Sequence, residues 1–361
     1  MASTITKWCH SGKDQYDIEL LEELNPHQKS LMEVAEKHKD EKGKNIPSWM
    51  IINHFTKKYP HLDLLEGPIQ IEYLVGNTPN GIMRIYNIHD WHRQPEKCND
   101  GNMRVNEWIL QVLKSADVFV DVFLEDSPPM KTFFGDDYSA FDYPFGKGTL
   151  HDIVMPLRDC IREKKNCPAP NARIHGVDVR TVGNVLKSQI MKAYPESEKF
   201  SDIVAQNLID MTVKIFASTK MQKEIKELPK CMFNKLVKNF TEKLKDCLLD
   251  ASSREYKTYE KSVYRKNISE ITKCIGAILM DTYLLGRLFK TFETSKERGH
   301  PTRVQNAIIY TGTSHSKIYR DVLESCGFNV VFEQRYTKYN FKENKPEQCV
   351  DISDMPYPLF R

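Results

Sequence analysis

Residues 117–124 read DVFVDVFL, and this stretch decides the fold class. It is a nearly continuous apolar run, rich in β-branched and aromatic residues, which is typical of a central strand covered on both faces. Shorter strand-like runs lie before and after it along the chain, at 69–74, 82–88, 172–177, 307–310 and 328–332. The sequence therefore predicts a sheet of several short strands.

Helical patterns alternate with these strands, at about 103–115, 151–163 and 316–325. A longer helical stretch, 181–295, separates the predicted strands at 172–177 and 307–310. Strand–helix alternation indicates parallel strands joined by right-handed crossovers. We expect an α/β fold with a mainly parallel central sheet flanked by helices and a large helical insertion between core strands.

Three regions follow from this pattern. Residues 1–65 are polar and form an N-terminal helical accessory segment, with prolines at two predicted helix starts. Residues 66–335 form the α/β core domain, including the insertion at 181–295. Residues 336–361 form a C-terminal tail.

The composition restricts the class of partner. Hydrophobic residues make up 40% of the 361 residues, and the formal net charge of +3 is too small to indicate nucleic-acid binding. The stretch 214–293 is more basic, with 17 Lys/Arg against 10 Asp/Glu. This excess predicts a solvated face of a helical bundle or, alternatively, a site for a polyanion.

The cysteines and the apolar runs bear on location. Nine cysteines form no CxxC pair, and the first residues contain no apolar stretch typical of a signal peptide. Both observations favour reduced thiols and a cytoplasmic protein. The longest apolar run, 274–289, contains Asp281 and Arg287, so we predict a buried helix there and no membrane contact.

Ionisable residues follow four of the predicted strands. In chain order they are Asp90 and His92, Glu125, Asp178 and Arg180, and His315. In an open α/β sheet, ligands bind outside the carboxyl ends of the strands. We therefore expect these distant segments to converge on one crevice.

The residue types in this crevice suit a divalent metal ion. Imidazoles from His92 and His315 with the Glu125 carboxylate are donors that Zn²⁺, Mn²⁺ or Co²⁺ accept. A metal with an open position lowers the pKa of its bound water to about 7 and so produces a nucleophile. The alternative for each histidine is an ordinary hydrogen-bonded loop residue.

The remaining residues would assist this site. Asp178 or Asp90 is placed to orient a histidine ligand through its second ring nitrogen. Arg180 is suited to bind an anionic substrate or to stabilise an oxyanion. Asp178 and Arg180 could equally pair with each other.

Five segments in order carry a resemblance to known proteins. They are IHDWHR (88–93), DVFLE (121–125), GVDVR (176–180), LMDTYLLGRLF (279–289) and IYTGTSH (309–315). In these the chain resembles the TraB/Tiki and erythromycin-esterase-like superfamily and, more closely, proteins of large cytoplasmic DNA viruses. The resemblance spans residues 69–335. It implies a hydrolase-like ancestor acting on peptide or ester bonds, with His92, Glu125 and His315 as metal or catalytic residues.

One position departs from that pattern. His89 stands where the superfamily has glycine, so its imidazole either obstructs the site or adds a ligand.

The sequence leaves three hypotheses for the function. The first is a metal-dependent hydrolase-like protein. The second is a metal-free esterase-like enzyme, with a histidine as general base and Glu125 orienting it or the water. The third is a catalytically inactive viral protein. The third would be a virion component or a partner of a host or viral protein, located in the host cytoplasm.

Overall fold

The structure is a computed structural model. It describes residues 64–91, 103–126 except 117, 149–161, 168–180 except 170, 187–188, 191–193, 202–253, 261–293, and 300–360 with gaps at 337–338, 341–344 and 357–358. The predicted accessory segment lies outside these residues apart from its last two positions.

A six-stranded mixed sheet forms the centre of the protein. Its strands are β2 (Pro68–Thr78), β3 (Gly81–Asp90), β5 (Val120–Leu124), β6 (Ala172–Gly176), β7 (Asn306–Gly312) and β8 (Asn329–Arg335). They lie in the order β6-β5-β7-β3-β2-β8. The strands β6, β5, β7 and β3 are parallel to one another, whereas β2 pairs antiparallel with both β3 and β8. The predicted α/β class is confirmed.

Helices connect the strands and form most of the chain between β6 and β7 that the structure describes. They are α1 (Val105–Ser115), α2 (Thr149–Ile161), α3 (Asp202–Phe216), α4 (Thr219–Ile225), α5 (Lys230–Ser253), α6 (Lys261–Phe289) and α7 (Thr313–Glu324). Within the described ranges, none of the helices has the length and apolarity required to cross a bilayer.

The chain divides into two compact units. The first contains the described residues before 130, those of 139–176 and those from 292 onward, and so holds the whole six-stranded sheet. The second contains the described residues of 177–291, including α3 to α6.

One face of the sheet is covered by α1 and α2. Alternation along the strands places Tyr86, Ile88, Ile308 and Tyr310 on this face, all at 0% exposure. They form one apolar cluster with residues of both helices, among them Trp108. Each fully buried aliphatic side chain contributes about 1.5–3 kcal/mol through the hydrophobic effect, so this face accounts for much of the folding free energy.

The opposite face of β3 and β7 is covered by α7. The Oγ of Ser316, in the first turn of α7, lies 2.8 Å from the Oγ1 of Thr311 on β7, and the Ser316 carbonyl accepts a hydrogen bond from Asn87 on β3. The next described helices after β3 and β5 thus pack on one face of the sheet, and the helix after β7 packs on the other.

The segment predicted as a C-terminal tail contributes to the core. It contains β9 (Tyr339–Asn340), β10 (Lys345–Pro346) and β11 (Cys349–Asp351), and β11 pairs with β1 (Leu64–Glu66), which also pairs with β4 (Met103–Arg104). Phe360 packs edge-on against Tyr86 with ring centroids 5.4 Å apart. The last described residues thus bury apolar side chains in the same core as α1 and α2.

The expectation of reduced thiols is wrong for the cysteines that the structure describes. These five are disulfide-bonded, namely Cys160, Cys231, Cys274, Cys326 and Cys349. Disulfides are rare in the cytosol. The cytoplasmic location thereby loses one of its two supports and stays a prediction.

Gly76 on β2 marks a close approach between β2 and the residue that precedes β8. A Cβ at this position would overlap the ring of Phe328, which is 2% exposed. We predict that Gly76→Ala lowers the free energy of unfolding by roughly 1–3 kcal/mol because the core there is overpacked. Urea denaturation measures the loss, and Gly76→Ala/Phe328→Leu should lose less than the sum of the two single variants. Strict additivity would show that the overlap is not the cause.

Candidate functional site

The carboxyl ends of the four parallel strands lie along one edge of the sheet, as the sequence predicts. β7 lies between β3 and β5, and the helix that follows it packs on one face of the sheet, whereas the next described helices after β3 and β5 pack on the other. Connections that diverge to opposite faces open a crevice at the strand ends, which is where ligands bind in such sheets. This edge is the candidate site.

Glu125 lies at this point of divergence. Its side chain is 0% exposed, and its Oε2 accepts a hydrogen bond of 2.6 Å from the backbone N–H of Gly312. Gly312 is the N-cap residue of α7 and has no side chain of its own to cap the helix. The Glu125 carboxylate therefore holds the start of α7 against the end of β5.

Asp90 and Tyr310 form a second buried polar pair at the same edge. The Tyr310 hydroxyl donates a hydrogen bond of 3.0 Å to Oδ1 of Asp90. Burial raises the pKa of Tyr310 well above its ordinary value, and the negative charges of Asp90 and Glu125 raise it further. The phenol therefore stays protonated and acts as a hydrogen-bond donor.

On the α7 face of the sheet, Glu72 is a fully buried carboxylate that accepts from four donors. Its Oε1 accepts hydrogen bonds from Gln70 Nε2 at 2.6 Å and from Arg320 Nη1 at 2.8 Å. Its Oε2 accepts from Asn87 Nδ2 at 2.9 Å and lies 3.2 Å from His89 Nε2. A buried charge persists when its lone pairs are satisfied in this way.

The pKa of Glu72 shows the balance of these effects. Burial alone would raise its pKa, but the hydrogen bond and charge of His89 and the hydrogen bonds from Asn87 and Arg320 outweigh it, and the pKa is lowered. Arg320 also pairs with Glu333 on β8 at 2.7 Å. The network is therefore anionic at its centre at neutral pH and compensated by a guanidinium from α7.

His89 connects this network to the candidate edge. Its ring is 0% exposed, with Nε2 facing Glu72 and Nδ1 lying 3.2 Å from Oγ1 of Thr313, the first residue of α7. Asn87 Nδ2 lies 3.3 Å from the same Nε2, but its two hydrogens are directed to Glu72 and to the Ser316 carbonyl, each at 2.9 Å.

When the His89 ring is neutral, as a general base must be, these contacts decide its tautomer. Its Nε2 carries the proton and donates to the carboxylate of Glu72, because a carboxylate can only accept. Its Nδ1 is then the acceptor and receives the hydroxyl hydrogen of Thr313. The result is a carboxylate–imidazole–hydroxyl chain that ends at the start of α7.

The structure brings together only some of the residues predicted from the sequence. Asp90, Glu125 and His315 lie at or just beyond strand ends on one edge of the sheet, and His315 is 7% exposed in the first turn of α7. His92 lies outside the described residues. The described residues therefore contain only two of the three predicted metal ligands, Glu125 and His315.

Asp178 and Arg180 belong to the second unit and pair with each other. The guanidinium donates to both carboxylate oxygens, with Nε–Oδ1 at 2.8 Å and Nη2–Oδ2 at 2.7 Å. The backbone N–H of Arg180 also donates to Oδ1 of Asp178 at 3.0 Å. The pairing that the sequence left as an alternative is the arrangement observed.

Sequence reasoning missed Glu72, Asn87, Thr313 and Arg320. A signal was present, because Gln70 and Glu72 alternate with apolar residues on β2, as do Asn87 and His89 on the next strand. Such alternation ordinarily predicts a solvent-facing side of a hairpin. The pattern that indicates a buried network is polar residues at paired positions of two neighbouring strands, together with an arginine on a helix that packs on them.

Comparison of the chain with known protein families, with curated proteins and with solved structures finds no match. The resemblance to the TraB/Tiki and erythromycin-esterase-like superfamily stays a prediction. Among the residues that the structure describes, no group of three His, Cys, Asp or Glu side chains is arranged to hold a metal ion.

The network makes a prediction about stability. Arg320→Met leaves the buried charge of Glu72 short of a donor and should lower the free energy of unfolding by roughly 3 kcal/mol. The matched control is Arg335→Met, because Arg335 also pairs with Glu333 at 2.7 Å but is 64% exposed. An exposed pair contributes about 0–1 kcal/mol. Equal losses in the two variants, measured by urea denaturation, would contradict the importance of the buried carboxylate.

Tyr310 makes a prediction about alkaline pH. Its folded pKa is raised above the unfolded value of about 10, so above that pH the unfolded chain loses a proton that the folded chain keeps. Stability is therefore lost as pH rises beyond about 10. Tyr310→Phe should weaken this loss relative to wild type in unfolding curves recorded from pH 8 upward. An unchanged alkaline slope would show that Tyr310 is not the titrating group.

Proposed function

We propose that this protein is a metal-free hydrolase of ester or peptide bonds whose general base is His89. The observation that carries the proposal is the chain of contacts from Glu72 through His89 to Thr313, which ends at the start of α7, at the candidate edge of the sheet. This keeps the metal-free esterase-like hypothesis, in which the histidine that acts as general base was not specified, and assigns that role to His89.

The geometry around His89 meets the requirements of a general base. Such a base needs a ring nitrogen that accepts a proton within hydrogen-bond reach of the reacting group, and Nδ1 lies 3.2 Å from a hydroxyl oxygen at the edge. The Glu72 carboxylate fixes the ring and would stabilise the imidazolium that forms on proton transfer. Because Glu72 and His89 are both 0% exposed, water does not weaken this interaction.

Glu125 has a positioning role in this proposal. By binding the N–H of Gly312, it fixes the strand-to-helix turn that precedes Thr313 and the first backbone N–H groups of α7. N–H groups at a helix start can stabilise an oxyanion that develops near them. His89 is thus a functional residue at the position where the superfamily pattern has glycine.

A metal-dependent hydrolase is the second candidate. It is favoured by Glu125, which accepts a hydrogen bond from the Gly312 N–H, and by His315, which lies three residues after Gly312, and it requires His92 as the third ligand. The described residues alone do not complete such a site. A divalent ion bound there would supply an activated water at neutral pH.

The test is hydrolysis of a panel of p-nitrophenyl esters and fluorogenic peptides by the full chain, with and without EDTA. General-base catalysis contributes about 10²–10⁴-fold, so His89→Gln should lose activity by that factor while wild type keeps its activity in EDTA. His175→Gln is the matched control. His175 is a second buried imidazole on a carboxylate, 2.9 Å from Asp121, and it stacks on Phe123 and Phe292.

The outcomes separate the candidates. Both histidine variants should lose some stability, but only His89→Gln should lose turnover beyond its loss of folded protein. Activity abolished by EDTA and restored by Zn²⁺, Mn²⁺ or Co²⁺ would favour the metal-dependent enzyme. Full activity of folded His89→Gln, or no turnover of any substrate by wild type, would overturn the proposal.

A further inference from the structure

Thr313 occupies the last position of the carboxylate–imidazole–hydroxyl chain. It is the first residue of α7, directly after Gly312 of β7, and it is half-buried, whereas His89 behind it is fully buried. We propose that Thr313 is the covalent nucleophile of the site and forms an acyl-threonine intermediate. This inference rests on the proposed function and goes beyond it, because general-base catalysis by His89 could also activate water.

The direction of the hydrogen bonds favours proton transfer from Thr313 to His89. The Nε2 proton of His89 is directed to Glu72, so Nδ1 is the acceptor that faces the threonine hydroxyl at 3.2 Å. A hydroxyl becomes a competent nucleophile when an adjacent base accepts its proton and a third group orients that base. Glu72, His89 and Thr313 fill these three roles in order.

A neighbouring hydroxyl provides a contrast within the same turn of α7. The Ser316 side chain is 0% exposed, lies 2.8 Å from Thr311 Oγ1 and is directed into the interior of the network. Thr313 instead combines a base at hydrogen-bond distance with partial exposure at the edge. Among these two, only Thr313 is placed to meet a substrate.

The position of Thr313 is fixed from both directions along α7. Before it, Gly312 donates its N–H to Glu125 at 2.6 Å. Two turns after it, Arg320 binds Glu72 at 2.8 Å, which is the same carboxylate that orients His89. Nucleophile and base are therefore anchored to one shared carboxylate, as preorganised catalysis requires.

The reaction with an ester is balanced as follows. Oγ1 of Thr313 bonds to the carbonyl carbon while its proton moves to Nδ1 of His89. The bond from that carbon to the alkoxy oxygen then breaks, and the leaving alcohol takes the proton from Nδ1. Water next attacks the acyl-threonine, again losing a proton to His89, and the acid departs as Thr313 regains its hydroxyl hydrogen.

A fluorophosphonate probe tests the nucleophile without knowledge of the natural substrate. An activated hydroxyl forms an Oγ1–P bond and displaces fluoride, and tryptic digestion places Thr313 in the peptide 304–317. Fragmentation of that peptide should locate the label on Thr313. Thr313→Val, which keeps the side-chain shape and lacks the hydroxyl, should lose labelling at this peptide, and Thr313→Ser should keep it.

Ser314→Ala is the control, because Ser314 is the exposed hydroxyl next to Thr313 and its variant should label like wild type. Glu72→Gln should label Thr313 at least tenfold more slowly if the carboxylate orients the base. Failure of folded wild type to label on Thr313, or labelling that persists in Thr313→Val, would overturn the inference.

The ester assay distinguishes this failure from failure of the proposed function. Turnover that depends on His89 but survives Thr313→Val would leave a hydrolase in which His89 activates water directly. Absence of turnover in wild type, with the label still on Thr313, would leave an activated hydroxyl and would count against the hydrolase alone.

Discussion

A single buried charge organises the α7 side of this protein. The carboxylate of Glu72 is removed from water and compensated by donors from β2, β3 and α7. Burying an unpaired carboxylate costs more free energy than the total stability of a protein of this size. The charge of Glu72 can therefore be buried only when all three elements supply their donors. The docking of α7, the buried ring of His89 and the position of Thr313 all depend on that requirement.

The network also explains why chemistry is expected at one place in the sheet. β7 lies between two strands whose next described helices pack on the other face of the sheet, and this topology favours a ligand site at the carboxyl end of β7. Glu125 fixes the turn after β7, and His89 reaches the same turn from β3. The pair of His175 and Asp121, by contrast, is enclosed by aromatic rings and ties β5 to β6. Similar residue types therefore serve different purposes according to what surrounds them.

Periodicity predicted the elements well because it reports local burial. Residues 120–124 of the run at 117–124 form a fully buried strand, and the predicted helix at 103–115 is observed as α1, Val105–Ser115, with Trp108 buried on it. The antiparallel strands were harder, because β2 and β8 are joined to their neighbours by pairing that alternation does not encode. Residues 336–361 were predicted to be a tail, but several of their apolar side chains lie in the core. Those side chains are scattered along the sequence, and they are buried only because the chain packs against β1 and the α1–α2 layer.

The sequence by itself determined the α/β class, the order of the main strands and helices, and the placement of Asp90, Glu125 and His315 at strand ends, because each of these depends on residues close together along the chain. Only the tertiary structure decided that Glu72, His89 and Thr313 form one connected chain and that Asp178 pairs with Arg180. Strand order and helix docking bring together residues separated by more than 200 positions, such as His89 and Thr313. These contacts are favoured because buried polar groups must be hydrogen-bonded, and a local sequence pattern does not show which distant residues supply the partners.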